Sequence, residues 1–162
     1  MVRSKTSAGL LMFRRKRNEV EVLLVHPGGP FFQNKDDGAW TIPKGEAAEG
    51  EDLLERAKIE FEEELGIPAA AMRPWIELGS VKQKGGKTVH AWAFEGNLPE
   101  SFALAANTFD LEWPPRSGKM QRFAEIDRAE FFPVEKARVK INLAQIAFLD
   151  RLVVTLDSAK SS

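Results

Sequence analysis

The segment from Gly45 to Ile67 constrains this chain most, because it reads as an acidic helix with a defined end. From about Gly50 the apolar residues Leu53, Leu54, Ala57, Phe61 and Leu65 recur at one-turn spacing. Gly66 supplies a left-handed C-cap, and Pro68 prevents the helix from continuing. In such a helix Glu60, Glu63 and Glu64 stand at i, i+3 and i+4, which brings their carboxylates onto one face. At about 100° per residue that face centres roughly a quarter turn or somewhat more from the apolar stripe, so the helix buries one flank and presents the other to a cleft. Crowded carboxylates repel and raise one another's pKa values unless a cation sits among the oxygens. A hard divalent ion such as Mg2+ is the natural occupant.

The 162 residues fit one domain, long enough to bury a core without staples. A hydrophobic fraction of 43% with 29% charged residues excludes a disordered or collagen-like chain. With 23 Lys+Arg against 24 Asp+Glu the net charge is -1, so no global field holds a nucleic-acid duplex or an anionic membrane. Any polyanionic ligand must be held locally. The absence of cysteine excludes disulfides, zinc thiolate sites and a cysteine nucleophile, and two histidines leave little for a histidine-based metal site. The N-terminus, Met1 to Thr6, is basic, but the apolar run behind it is too short for a signal-peptide core, and no stretch approaches the length of a membrane span. A soluble, cytoplasmic protein is expected.

The apolar runs Ala8 to Phe13 and Val20 to His26 flank the charged Arg14 to Glu19 and read as a strand pair with a solvated basic tip. Pro27-Gly28-Gly29-Pro30 breaks the second strand, a loop follows through Asp36-Asp37-Gly38, and Trp40-Thr41-Ile42 is a short extended piece. After the acidic helix, strands are expected at Trp75 to Gln83 and Thr88 to Phe94 around the turn Lys84-Gly85-Gly86-Lys87. Residues Asn97 to Ser117 read as a mixed segment with a loop at Pro114 and Pro115, and Phe123 to Phe132 as another strand. Pro133 starts a C-terminal helix over about 134–154, and the tail after Asp157 is expected to fray. His26 and His90 read as packed or surface histidines. This order fits a mixed sheet covered by helices on both faces.

The segment resembles the signature of the Nudix hydrolases, which runs Gly, five residues, Glu, seven residues, Arg-Glu-apolar, any residue, Glu-Glu, any residue, Gly-apolar. Gly45, Glu51, Glu60, Phe61, Glu63, Glu64, Gly66 and Ile67 fall on their places, and Ile59 stands where the arginine belongs. The resemblance implies an α/β/α sandwich and a single Nudix hydrolase domain over 1–162 with its signature at 45–67. By similarity, Glu60, Glu63 and Glu64 are the catalytic, metal-binding carboxylates, with the Gly45 carbonyl as a further ligand for Mg2+ or Mn2+. Glu51 is an auxiliary, joining through water or orienting the helix. The implied reaction is hydrolysis of a phosphoanhydride in a nucleoside diphosphate-linked substrate, a nucleoside or dinucleoside polyphosphate. Trp40-Thr41-Ile42-Pro43-Lys44-Gly45 resembles the approach to the signature in diadenosine polyphosphate hydrolases.

Such chemistry needs a cation to bridge inert phosphate oxygens and a carboxylate to take a proton from water. Glu60 is a candidate base, and Glu112 and Glu125 are candidates outside the helix. Lys44 adjoins the signature as a phosphate contact, and Lys84, Lys87, Arg116 and Lys119 are further substrate-binding candidates, each of which alone also reads as a solvated cation. Trp40 and Trp92 read as core, while Trp113 is a candidate stacking surface. The family arginine orients glutamates by ion pairing, and Arg56, one turn before Glu60, is a candidate substitute. Two other readings compete with the enzyme: a catalytically weakened Nudix-like module that binds nucleotide, motivated by Ile59, and an interaction domain whose acidic helix docks a basic partner. Retention of all three helix carboxylates favours the enzyme.

Overall fold

The computed structural model of the protein describes residues 5–69, 74–104 and 107–160; the first four residues of the N-terminal stretch and the last two residues of the tail lie outside them. Strands β1 (Thr6–Lys16), β2 (Glu19–Pro27), β4 (Ile76–Gln83), β5 (Lys87–Glu95) and β8 (Ile126–Pro133) form a sheet of order β4-β5-β1-β2-β8. β1 and β5 run parallel while the other neighbours are antiparallel, so the sheet is mixed as expected. The β1–β2 hairpin turns on Arg17 and Asn18, both at positive φ (52° and 67°), so Arg14, Arg15 and Lys16 continue the strand and leave only two residues for the tip.

Apolar residues on both faces of the central strands explain why helices cover both. Leu10 and Met12 of β1 and Leu23 and Val25 of β2 face helix α1 (Leu53–Leu65), joining Ala57, Phe61 and Phe94 in one core. Leu11, Phe13, Val22 and Leu24 point the other way, toward Ala137 of α2 (Val134–Lys140) and Phe148, Leu149 and Leu152 of α3 (Ile146–Lys160). The result is the α/β/α sandwich that the sequence resemblance implies. Phe61 anchors α1 by packing edge-on to Phe94 at a centroid distance of 5.3 Å. Truncating such a buried ring to alanine costs about 3–5 kcal/mol.

β3 (Lys44–Glu46) is what positions the site. One side of β1 is taken by β5 from Thr6 to Phe13. The other side is shared, Phe13–Lys16 pairing with β2 and Ser7–Gly9 with β3. The sheet therefore forks where the chain delivers Lys44 and Gly45. Gly9 permits this, since a Cβ there would stand 2.5 Å from the Pro43 carbonyl oxygen. A glycine inside a strand commonly marks such a close backbone approach.

The structure sets several element boundaries that the sequence left open or placed differently. The segment Asn97 to Ser117 contains a strand, β6 (Thr108–Glu112), which pairs with β7 (Met120–Ala124) in a separate two-stranded hairpin. The strand expected from Phe123 to Phe132 is divided at Glu125 into β7 and β8. The C-terminal helix is also two helices: Ile141 is extended (φ -76°, ψ 149°) and bridges Trp40, Asn142 caps a 3-10 turn at Leu143–Gln145, and α3 then runs through Lys160, so the helix persists past Asp157 instead of fraying there. No described helix is long and apolar enough to cross a membrane.

Candidate active site

Helix α1 begins at Asp52, whose side chain accepts the Glu55 amide, and ends at Gly66 with φ 73°, whose amide returns to the Glu62 carbonyl. Burial of Ala57, Phe61 and Leu65 fixes its rotation. Glu60 and Glu64 are thereby turned toward β3, with Glu63 exposed beside them. A Cβ at position 45 would run into the Glu60 carboxylate, so glycine there lets the carboxylate lie directly against the β3 backbone.

Glu64 carries the most perturbed group. Its pKa is pushed up to about 8, first by burial and then by the Glu60 charge, with Glu125 adding to the effect; the Lys44 charge and backbone N–H oppose it. Its Oε2 is buried without a hydrogen-bond partner. Glu60 is raised as well, by burial and then by Glu63, with Glu125 contributing and Arg56 opposing. Burial lowers the pKa of Lys44, against the nearby charges of Glu64, Glu46 and Glu60, and Lys87 adds to the lowering. The structure thus brings Gly45, Glu60, Glu63, Glu64, Lys44, Lys87 and Glu125 into one electrostatic neighbourhood.

Glu51 and Arg56 border it. Glu51 accepts the Ala48 amide at 2.9 Å and lies 2.7 Å from Arg56 Nη2, while Arg56 Nη1 donates to Glu60 at 3.3 Å. The hydrogen bond from Arg56 holds the Glu51 carboxyl below the usual carboxylate range. Ile59 is 41% exposed.

Other candidates sit elsewhere. Glu112, Arg116 and Lys119 are exposed at the tip of the β6–β7 hairpin, where the Glu112 carboxylate accepts the Arg116 amide at 2.9 Å. Glu125 is at the root of that hairpin, separated from the tip by the five residues of β7, about 17 Å of extended chain. Lys84 is exposed in the β4–β5 turn. Trp40 is buried, its Nε1 donating to Asp36 at 2.8 Å, and Trp92 packs against the α1-side core. Trp113 packs edge-on to the exposed Phe31 at 5.4 Å. His26 is buried and held at both ring nitrogens, by Asp127 and the Lys35 carbonyl, each at 2.7 Å. His26 is thus the packed histidine its strand context suggested.

Among the described residues no group of three or more His, Cys, Asp or Glu side chains is already arranged to hold a metal ion. The donor set nevertheless fits a hard divalent cation. It offers carboxylate oxygens, one of them buried and unpartnered, beside a backbone without a Cβ.

A family model described as NUDIX domain matches residues 3–152. The chain belongs to the NUDIX family. No curated protein matches it significantly. Among solved structures, the C. elegans Ap4A hydrolase in a binary complex superposes with a TM-score of 0.67 at 22% identity, covering 95% of this chain and 98% of that one. The NUDIX domain of Shewanella oneidensis NrtR, complexed with ADP ribose, gives 0.65 at 13% identity over 96% and 90%. A mutT/nudix family protein from Listeria innocua gives 0.65 at 16% identity over 98% of both chains. At these identities the likeness concerns the fold. As a NUDIX member the protein is a hydrolase acting on pyrophosphate bonds, and NUDIX hydrolases generally use divalent metal ions.

Proposed function

We propose that the protein hydrolyses a phosphoanhydride in a nucleoside diphosphate-linked substrate, a nucleoside or dinucleoside polyphosphate, with Mg2+ or Mn2+. The observation that carries this reading is the buried, unpartnered Oε2 of Glu64 beside Glu60 and the Cβ-free backbone of Gly45. The dinucleotide class has the further support of the fold shared with the Ap4A hydrolase.

Glu60, Glu63 and Glu64 and the Gly45 carbonyl would hold the cation, which when bound neutralises phosphate charge and lowers the pKa of water. Lys44 and Lys87, whose charges already interact, attract the phosphate chain. Bound phosphate stabilises the protonated form of Lys44 against the burial that opposes it. The attacking water bonds to phosphorus as the bridging P–O bond breaks, and its proton passes to a carboxylate. Glu60 and Glu125 are the two bases this reading admits, since both belong to the charge cluster around Glu64. Glu51 steadies the Ala48 turn ahead of the helix. Lys84, in the turn that leads to Lys87, is the further cation this reading admits, while Arg116 and Lys119 lie at the far tip of the β6–β7 hairpin and take no part in it.

The test is a hydrolysis screen over dinucleoside polyphosphates, nucleoside triphosphates, nucleotide sugars, nucleotide cofactors and diphosphoinositol phosphates, with Mg2+ and with Mn2+ at alkaline pH. Metal-dependent turnover of a nucleoside or dinucleoside polyphosphate is expected. No turnover of any of them contradicts the reading and leaves a nucleotide-binding module.

A further inference from the structure

We infer that Arg56 is a positioning residue for the Glu60 carboxylate, acting through a Glu51–Arg56–Glu60 relay that ties the loop before α1 to the charged face of the helix. The inference rests on the reading of Glu60 as a metal-binding carboxylate. Arg56 Nε donates to Glu51 Oε2 at 2.8 Å, and Nη2 lies 2.7 Å from the same oxygen. The remaining arm of the fork, Nη1, reaches Glu60 Oε1 at 3.3 Å. Glu51 is itself held, its Oε1 accepting the Ala48 amide at 2.9 Å.

Glu60 needs such a restraint. It lies against Gly45, which offers no side chain to lean on, and the charges of Glu63 and Glu125 push on it. The guanidinium is the opposing contact, and its rigid, planar fork can serve two acids at once where an ammonium on a flexible stem serves them poorly. In an isolated helix, an arginine placed before a glutamate at i, i+4 is the weaker order. Here the second acid removes that disadvantage by fixing the guanidinium first. The side chains of Arg56, Glu51 and Glu60 are 25%, 22% and 16% exposed, so all three keep contact with water and the relay acts by fixing geometry more than by the strength of its ion pairs. Ile59, apolar and 41% exposed, takes no part in it, so the charge-orienting work of this helix falls three residues earlier in the chain.

The test is Mn2+ affinity, by calorimetry or electron paramagnetic resonance, together with steady-state kinetics on wild type, Arg56→Ala, Arg56→Lys, Glu51→Gln and the double variant Glu51→Gln/Arg56→Ala. The Arg56→Ala variant is expected to lose roughly 10–100-fold in Mn2+ affinity and in kcat, the range for removing a group that orients a metal ligand, with KM little changed. Lysine should recover only part of the loss. Glu51→Gln should give a smaller loss, and the double variant should be no worse than Arg56→Ala, because the relay acts as one unit. Should Arg56→Ala fail to fold, the same cycle is run with Arg56→Lys. Mn2+ affinity and kcat within twofold of wild type for Arg56→Ala, or losses that simply add in the double variant, would overturn the inference. So would a sharp gain in turnover for Ile59→Arg while Arg56→Ala changes nothing. Mn2+ binding does not depend on having found a substrate, so a failed hydrolysis screen sinks the enzymatic reading while the binding cycle still decides the relay.

Discussion

The two ends of the β6–β7 hairpin carry acids that look interchangeable in the sequence, yet only one end belongs to the candidate site. At the tip, Glu112 is exposed and occupied with the Arg116 amide. At the root, Glu125 is placed where its charge raises the pKa of both Glu60 and Glu64. The residue type is the same, and the difference is the surroundings: a carboxylate matters for this chemistry when its field reaches other acids across a partly dry gap, and matters little when water and a backbone amide already satisfy it.

Substitutions at the two ends and in the helix test that difference. The largest expected effect is Glu64→Gln, which keeps the shape of the side chain but removes its charge; kcat should fall by roughly 10²-fold or more, measured at saturating Mg2+. Gly45→Ala comes next. The Glu60 carboxylate must move away from the new methyl group. Because that carboxylate is the end of a flexible side chain, the melting temperature should change little while kcat drops about tenfold or more. A large loss of stability with unchanged kcat would show that Gly45 serves the fold alone. Glu125→Gln should lower kcat and shift the pH-rate profile, whereas Glu112→Gln should leave both within about twofold of wild type. Equal effects at the two positions would erase the distinction between root and tip.

A smaller effect concerns stability against pH. Glu64 has a folded-state pKa of about 8 against an ordinary value of 4.5, so between those values the native protein holds a proton that the unfolded chain has released. Stability of the metal-free protein should therefore fall as pH rises from about 4.5 to 8, and the slope should flatten in Glu64→Gln. Thermal melts in chelator across that range measure it. A flat wild-type curve would mean that Glu64 is better solvated than its burial indicates.

Much of this arrangement is legible in the residues. Leu53, Leu54, Ala57, Phe61 and Leu65 announce α1, and Gly66 and Pro68 announce its end, because periodicity and capping are local. The glutamate spacing likewise reveals a shared face. The hairpin is less visible: β6 buries no residue completely, and a loop marked by Pro114 and Pro115 directly follows it. The break at Glu125 and the one at Ile141 carry no glycine or proline. They are set by tertiary bonds, Gly28 N–H to the Glu125 carbonyl in one case and Asn142 N–H to the Trp40 carbonyl in the other. The same holds for Glu125 and Lys87, which sequence names only as candidates and the fold brings into the field of Glu64 and Lys44. Glycine at position 9 was readable as an interruption, but the carbonyl it makes room for belongs to Pro43, far along the chain.

The most direct test of the carboxylate cluster is isothermal calorimetry of Mn2+ binding near pH 7 in buffers of different ionisation enthalpy, on wild type and Glu64→Gln. Wild type should bind Mn2+ and release up to about one proton, because Glu64 is largely protonated until the cation arrives. Glu64→Gln should bind much more weakly and lose that proton release. Wild-type affinity retained in Glu64→Gln, with unchanged proton release, would contradict the assignment of Glu64 as the centre of the site.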